Sequence, residues 1–305
     1  MNKVIANLKK VVLLLYDSGS ELSKDYGSVH AAALGYYVLL SIFPLATLSA
    51  IIITRIIGPA TLAGDYEVLL SSMIGSQYSQ LLQSLITSSY SIAANNVWTL
   101  VNILVLIFAS SYMFYQARIS LDAMWHLTPK PGMVNSLLAT VKTYTFAYLI
   151  AFAVGLSFLV LLFWNTLWNI ISDLLTDYLN VNLLAAESFL DAFSSPILYT
   201  LIFLAAFRYL PQARMRIRDM LPGAFLTGLL YWGGNYLYSI YLGYSSSSTI
   251  YGIASSTVFF LFWVFYSAII FLYGAKVTRL YALRFGKGMK PDENMTCSDG
   301  QKLVN

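Results

Sequence analysis

GIASSTVFFLFWVFYSAIIFLYGA, residues Gly252–Ala275, runs without an Asp, Glu, Lys or Arg and stops at Lys276. A helix crosses about 30 Å of hydrocarbon with about 20 mainly apolar residues, so this stretch reads as a membrane span. Five segments upstream read the same way: Ala31–Ile57, Val97–Ala117, Thr143–Trp168, Phe189–Phe207 and Met220–Leu242. The expected fold is all-α, a polytopic integral membrane protein with six transmembrane helices in one domain over residues 1–290. The polar residues 291–305 read as a disordered tail.

Composition points the same way. The chain is 58% hydrophobic and 10% charged, with a mean hydropathy of +0.67. Soluble domains run about 45–50% apolar and about 25% charged. Cys297 is the only cysteine, which excludes an intrachain disulfide or a cysteine metal cluster. The apolar stretch Val11–Leu15 is too short for a signal-peptide core.

The basic residues set an orientation. Seventeen of the eighteen Lys and Arg residues fall on alternate sides of the six runs, the exception being Arg55. Lys3, Lys9, Lys10 and Lys24 precede the first span. Arg118, Lys130 and Lys142 follow the second, Arg208, Arg214, Arg216 and Arg218 follow the fourth, and Lys276 through Lys302 follow the sixth. The other connections carry Asp65, Glu67, Asp173, Asp177 and Glu187 and, past Arg55, no base. Basic loops stay cytoplasmic, so both termini are expected in the cytoplasm. Spread over several segments, these bases form no nucleic-acid footprint.

Amphipathic interfacial helices are expected beside the spans. Lys3–Tyr16 places Val4, Ile5, Leu8, Val11, Val12 and Leu15 near one face, with Lys9 and Lys10 between them, as in a helix lying in the inner interface. A second such helix is expected within Gly58–Asn96, and a shorter one around Leu174, Leu175, Tyr178 and Leu179. Ala147, Ala151 and Gly155 make a small-residue face for helix contact on the third span. Pro44 and Pro196 are expected to kink their helices, and Gly233 and Gly234 to weaken the fifth span. Such interruptions mark either transporter sites or packing features.

Three stretches carry a family resemblance: AAALGYYVLLSIFPLATL at Ala31–Leu48, YQARISLDAMW at Tyr115–Trp125, and RDMLPGAFLTGLLYWGGNYLYSIYL running on to IYGIASSTVFFLFWVFYSAIIFLYGAKV, Arg218–Val277. The chain resembles the YihY/BrkB family of bacterial inner-membrane proteins over roughly residues 25–285. The resemblance implies a six-helix bundle with both ends cytoplasmic, in agreement with the charge count. It implies little chemistry. The family has carried a tRNA-processing ribonuclease label and a virulence-associated serum-resistance label, and a transport role has been suspected.

A metal-dependent nuclease needs several carboxylates or histidines converging on an ion. The only histidines are His30 and His126, and Asp122 lies one helical turn before His126. A pair is not a site, so no catalytic residue, metal or cofactor is expected. A transport path would draw on Asn102, Ser110, Ser111, Asn165, Ser194, Ser195 and Asn235, with Arg55, Arg118 and Lys276 guiding an anionic solute or phosphorylated lipid. The same cations could instead meet lipid headgroups. No carboxylate lies near the centre of a span, which disfavours a proton antiporter of the embedded-carboxylate design. The leading expectation is a transporter or permease for an anionic or amphiphilic substrate, with membrane lipids as partners. A non-transporting scaffold for envelope integrity comes second and a ribonuclease third.

Overall fold

The computed structural model describes residues 2–41, 101, 112–130, 184–244, 250–292 and 294–298. Along them run α1 (Asn2–Lys24), helical residues 27–41 (α2), helical residues 112–124 (α3), β1 (Leu127–Pro129), α4 (Leu184–Tyr209) and β2 (Ala213–Arg214). They are followed by α5 (Ile217–Tyr244), α6 (Ile250–Arg284), β3 (Lys290–Pro291) and β4 (Met295–Cys297). The described chain is mostly helical, as expected. The third span, Pro44, Arg55, the segment Gly58–Asn96 and the stretch around Leu174 lie outside the described residues. Among those that are described, Val258–Arg284 of α6 is the one helical stretch long and apolar enough to cross a membrane by length and composition, and Pro196–Tyr209 is a shorter apolar stretch.

The chain divides into two compact units. One comprises Met1–Gly27, Arg118–Trp232 and Ile270–Asn305; the other comprises Ser28–Ala117 and Gly233–Ile269. In the second unit, Tyr37 stacks on Tyr112 with ring centroids 5.8 Å apart, and Tyr238 stacks on Trp263 at 5.0 Å. Gly234 lies directly under the Tyr266 and Trp263 rings, where a side chain would not fit, while Gly233 faces open space. Neither glycine interrupts α5, which is continuous from Ile217 to Tyr244.

The first unit is built on close helix crossings. A side chain at Gly223 of α5 would stand 2.8 Å from the Gly274 carbonyl and 2.9 Å from the Thr278 nitrogen of α6. Thr227 and Thr278, both fully buried, donate their hydroxyls to the Gly223 and Gly274 carbonyls of their own helices at 2.7 and 2.8 Å. Each hydroxyl is thereby satisfied within its own turn, leaving the small faces free to interlock. This small-residue contact lies on α5 and α6, and the face expected on the third span is outside the described residues. Gly228 of α5 meets the Thr200 backbone of α4 in the same manner. Helix α4 continues through Pro196, whose carbonyl accepts the Thr200 hydroxyl at 2.7 Å.

The ends of these helices are stitched by short strands. β1 pairs antiparallel with β4, and β2 with β3. Among the described residues, 291–292 and 294–298 are held in place here, where composition led to the expectation of a disordered tail. Met289 and Met295 are buried, and the backbone of this segment finds partners on both connections. The Asp292 nitrogen donates to the Gln212 carbonyl at 3.0 Å, and the Ser298 nitrogen to the His126 carbonyl at 2.9 Å. A polar composition did not disclose strand pairing of this length.

Two substitutions separate packing from propensity. Gly223→Val should lower the apparent unfolding temperature of the purified protein markedly, an overpacking cost of about 1–3 kcal/mol. Gly233→Ala should leave it unchanged or slightly raised, since the side chain meets nothing within 4 Å. Thermal unfolding in detergent followed by tryptophan fluorescence measures both.

Candidate functional site

Helix α1 carries acids at Asp17 and Glu21, and Asp25 follows in the turn that ends it. The spacing is one helical turn each, so the three share a face. Helix α6 carries Lys276, Arg279 and Arg284, and the two sets pair. Arg284 Nη2 donates to Asp17 Oδ2 at 2.6 Å and Arg279 Nη1 to Glu21 Oε2 at 3.1 Å. Lys276 Nζ donates to Asp25 Oδ2 and lies 3.8 Å from Glu21 Oε2. Beneath the pairs, Leu14 of α1 packs with Val277 and Leu280 of α6.

These pairs differ in weight. The Asp17–Arg284 pair is more than a third exposed on both sides, where such pairs contribute about 0–1 kcal/mol. The Lys276 side chain has no exposed surface at all, and a buried charge is tolerated only when paired. Helix α6 has 35 residues, about 50 Å of helix against about 30 Å of hydrocarbon. The excess carries Lys276, Arg279 and Arg284 to their partners on α1.

His126 completes the group around Lys276. Its Nε2 lies 2.6 Å from Asp25 Oδ2 and 3.0 Å from Lys276 Nζ. Two helix ends bring this about. Asp25 and Tyr26 turn the chain out of α1, Trp125 and His126 turn it out of α3, and both Tyr26 (φ 53°) and His126 (φ 56°) are left-handed. For a residue with a Cβ that backbone is unusual and costs about 1–2 kcal/mol. Trp125 anchors the second turn, fully buried, with its indole N–H donating to the Ala275 carbonyl at 3.0 Å. Burial pushes the Asp25 carboxyl up, but the hydrogen bonds from Lys276 and then His126 outweigh it and hold the group below its ordinary value.

Asp122 belongs to a neighbouring cluster. It accepts the Gln212 backbone N–H at 2.9 Å and lies 3.9 Å from Arg118 Nε. Burial pushes its carboxyl up to about 7, despite that hydrogen bond and the Arg118 charge. Asp122 and His126, expected on one helical face, therefore do not converge. The helix ends between them, His126 turns toward Asp25, and Asp122 toward the chain after α4.

Of the residues expected on a substrate path, Arg118 and Lys276 are drawn into these ion pairs, and Lys276 is too deeply buried to meet a headgroup. Asn235 is exposed on α5. Asn102, Ser110, Ser111, Asn165 and Arg55 lie outside the described residues, as do the side chains of Ser194 and Ser195. The acids on α1 had a signal in the sequence: carboxylates at positions 17, 21 and 25 match cations at 276, 279 and 284 in helical spacing. An open groove lies on the other flank of α1, formed by Leu15, Gly19, Ser20, Ser23 and Lys24 with Tyr273.

The Asp25 cluster has a testable pH signature. A carboxyl whose folded value is depressed stabilises the fold fully above its ordinary value of 3.8, and that contribution is lost as pH falls through the folded value. Asp25→Asn should therefore destabilise by about 3 kcal/mol at neutral pH, leaving Lys276 without its nearest counter-charge. Its deficit against the unsubstituted protein should shrink below pH 3.8. Unfolding temperatures over a pH series measure this, and a deficit constant with pH would refute the ion-pair account.

No curated protein and no solved structure matches the chain. The model of the family described as Virulence factor BrkB matches residues 19–296, which takes in α2 to α6, β1 to β3 and the Asp25, His126 and Lys276 group. The chain thus belongs to the BrkB virulence factor family and is a helical membrane protein of that kind.

Proposed function

We propose that the protein is a six-span permease of the bacterial inner membrane, with both termini cytoplasmic, that passes an anionic or amphiphilic solute, lipid-like molecules included. The observation that carries the reading is Asn235, exposed in the C-terminal half of α5. An amide facing hydrocarbon is costly and must find a partner. A polar path through the bilayer supplies one.

The strand pairs support the topology. β2 precedes α5, β3 follows α6, and the two strands are hydrogen-bonded to each other. The chain between them must cross the membrane an even number of times, so a crossing by α6 requires a return by α5. At 28 residues, about 42 Å long, α5 is long enough. The β1–β4 pair imposes the same parity from Leu127 to Cys297. The side that gathers these strands also carries the basic connections, which supports reading it as the cytoplasmic side.

A scaffold without transport is the second reading, favoured by the locked contact of α1 on α6 and the interlocked Gly223 and Gly274 faces. No enzymatic chemistry is assigned, because Asp122 and His126 are committed to Gln212, Arg118, Asp25 and Lys276. No nucleic-acid partner or cofactor enters this reading.

Reporter fusions test the topology. Fusions within Pro129–Gly132 and after Lys290 should be active only with cytoplasmic reporters, and fusions within Gly58–Asp65 and Tyr244–Ser248 only with periplasmic ones. A periplasmic signal at Pro129–Gly132 would overturn six spans. Transport is tested in proteoliposomes with a panel of organic anions and a fluorescent phospholipid. Flux above empty liposomes is expected, and Asn235→Leu should reduce it about tenfold, close to the value of one hydrogen bond. Flux equal to empty liposomes across the panel would favour the scaffold.

A further inference from the structure

We propose that the groove between α1 and Tyr273 binds the headgroup of an anionic glycerophospholipid. The inference stands whether or not the protein transports anything.

Shape comes first. Gly19 leaves the middle of the groove bare; a Cβ there would sit 3.9 Å from the Tyr273 ring, in ordinary contact. The ring is held in place by its hydroxyl, which donates to the Leu15 carbonyl at 3.1 Å. Ser20 and Ser23 stand along the groove and Lys24 closes it. A cation with two hydroxyls suits a phosphodiester, which takes a charge-assisted hydrogen bond and further donors.

Charge complementarity selects the sign of the ligand. The acids of α1 and its terminal turn are all engaged on α6, through Asp17–Arg284, Glu21–Arg279 and Asp25–Lys276. Lys9, Lys10 and Lys24 are left exposed on the helix. The ion pairs thus hold α1 with its acids turned inward and its lysines outward. That outer surface attracts anions and repels cations, at about 1 kcal/mol per lysine beside an anionic lipid surface.

Apolar exposure selects a lipid over a free anion. Val11, Val12, Leu13 and Tyr16 are 46–74% exposed, about two to four helical turns before Lys24, and Tyr16 itself lines the groove. Inorganic phosphate has nothing to offer these side chains. A phospholipid places its phosphate at Lys24 and its acyl chains along Tyr16 and the valines, as an interfacial amphipathic helix requires.

The test uses the full-length protein purified in detergent with equimolar phosphatidylglycerol and phosphatidylcholine, then stripped by extensive washing. Lipid mass spectrometry quantifies what remains bound. Phosphatidylglycerol should be enriched about fivefold, the discrimination one lysine confers. Lys24→Gln and Gly19→Leu should each abolish the enrichment, the first by removing the charge and the second by filling the groove. Gly19→Ala should retain it, and unchanged unfolding temperatures for Lys24→Gln show that the loss is not misfolding. No enrichment in the unsubstituted protein, or enrichment in Lys24→Gln or Gly19→Leu as high as in the unsubstituted protein, overturns the proposal. Displacement of phosphatidylglycerol by excess inorganic phosphate also overturns it, because the groove would then be a simple anion site.

Discussion

The ammonium of Lys276 has no surface left in water, and the first unit is organised around that constraint. A buried cation needs a counter-charge and hydrogen-bond acceptors at close range. Asp25 supplies both, Glu21 adds a second carboxylate 3.8 Å away, and His126 donates to the Asp25 carboxylate. To deliver them, α1 and α3 must both end beside α6, each in a turn whose left-handed residue is not a glycine. Trp125 and the β1–β4 pair secure one of those turns, so a single charge ties together segments more than a hundred residues apart in sequence.

The same constraint gives α1 two faces. Its inner side is spent on Leu14, Ser18, Leu22 and the three acids, while its outer side keeps the lysines and exposed apolar residues. An amphipathic helix free in solution could rotate to hide either face. Here the ion pairs fix the rotation, and the groove beside Tyr273 exists only because of it.

Much of the architecture was legible from patterning. Gly252–Ala275 announced a helix through its length and lack of charge, and the distribution of bases announced which connections share a side. The pairing of β2 with β3 agrees with that distribution by an independent route. Helix boundaries were less legible: α6 runs nine residues past the predicted end at Ala275, to Arg284, because its cations have partners there. The polar segment from 291 to 298 read as tail because strand pairing is made by backbone groups, which composition does not record.

The site was only half visible. Lys276 and Arg118 stood out as cations at span ends, yet whether each faces solvent, lipid or a carboxylate depends on which helix lies opposite. Asp122 and His126 read as a pair because they lie one turn apart, and the end of α3 between them sent their side chains to different neighbours. Local spacing determines which residues share a face, and hydrophobicity determines which segments leave water. Both are properties of a stretch of chain and can be read from the sequence. The partner of a charge is a property of two distant stretches, so only the tertiary structure could decide that Lys276 would meet Asp25 and His126.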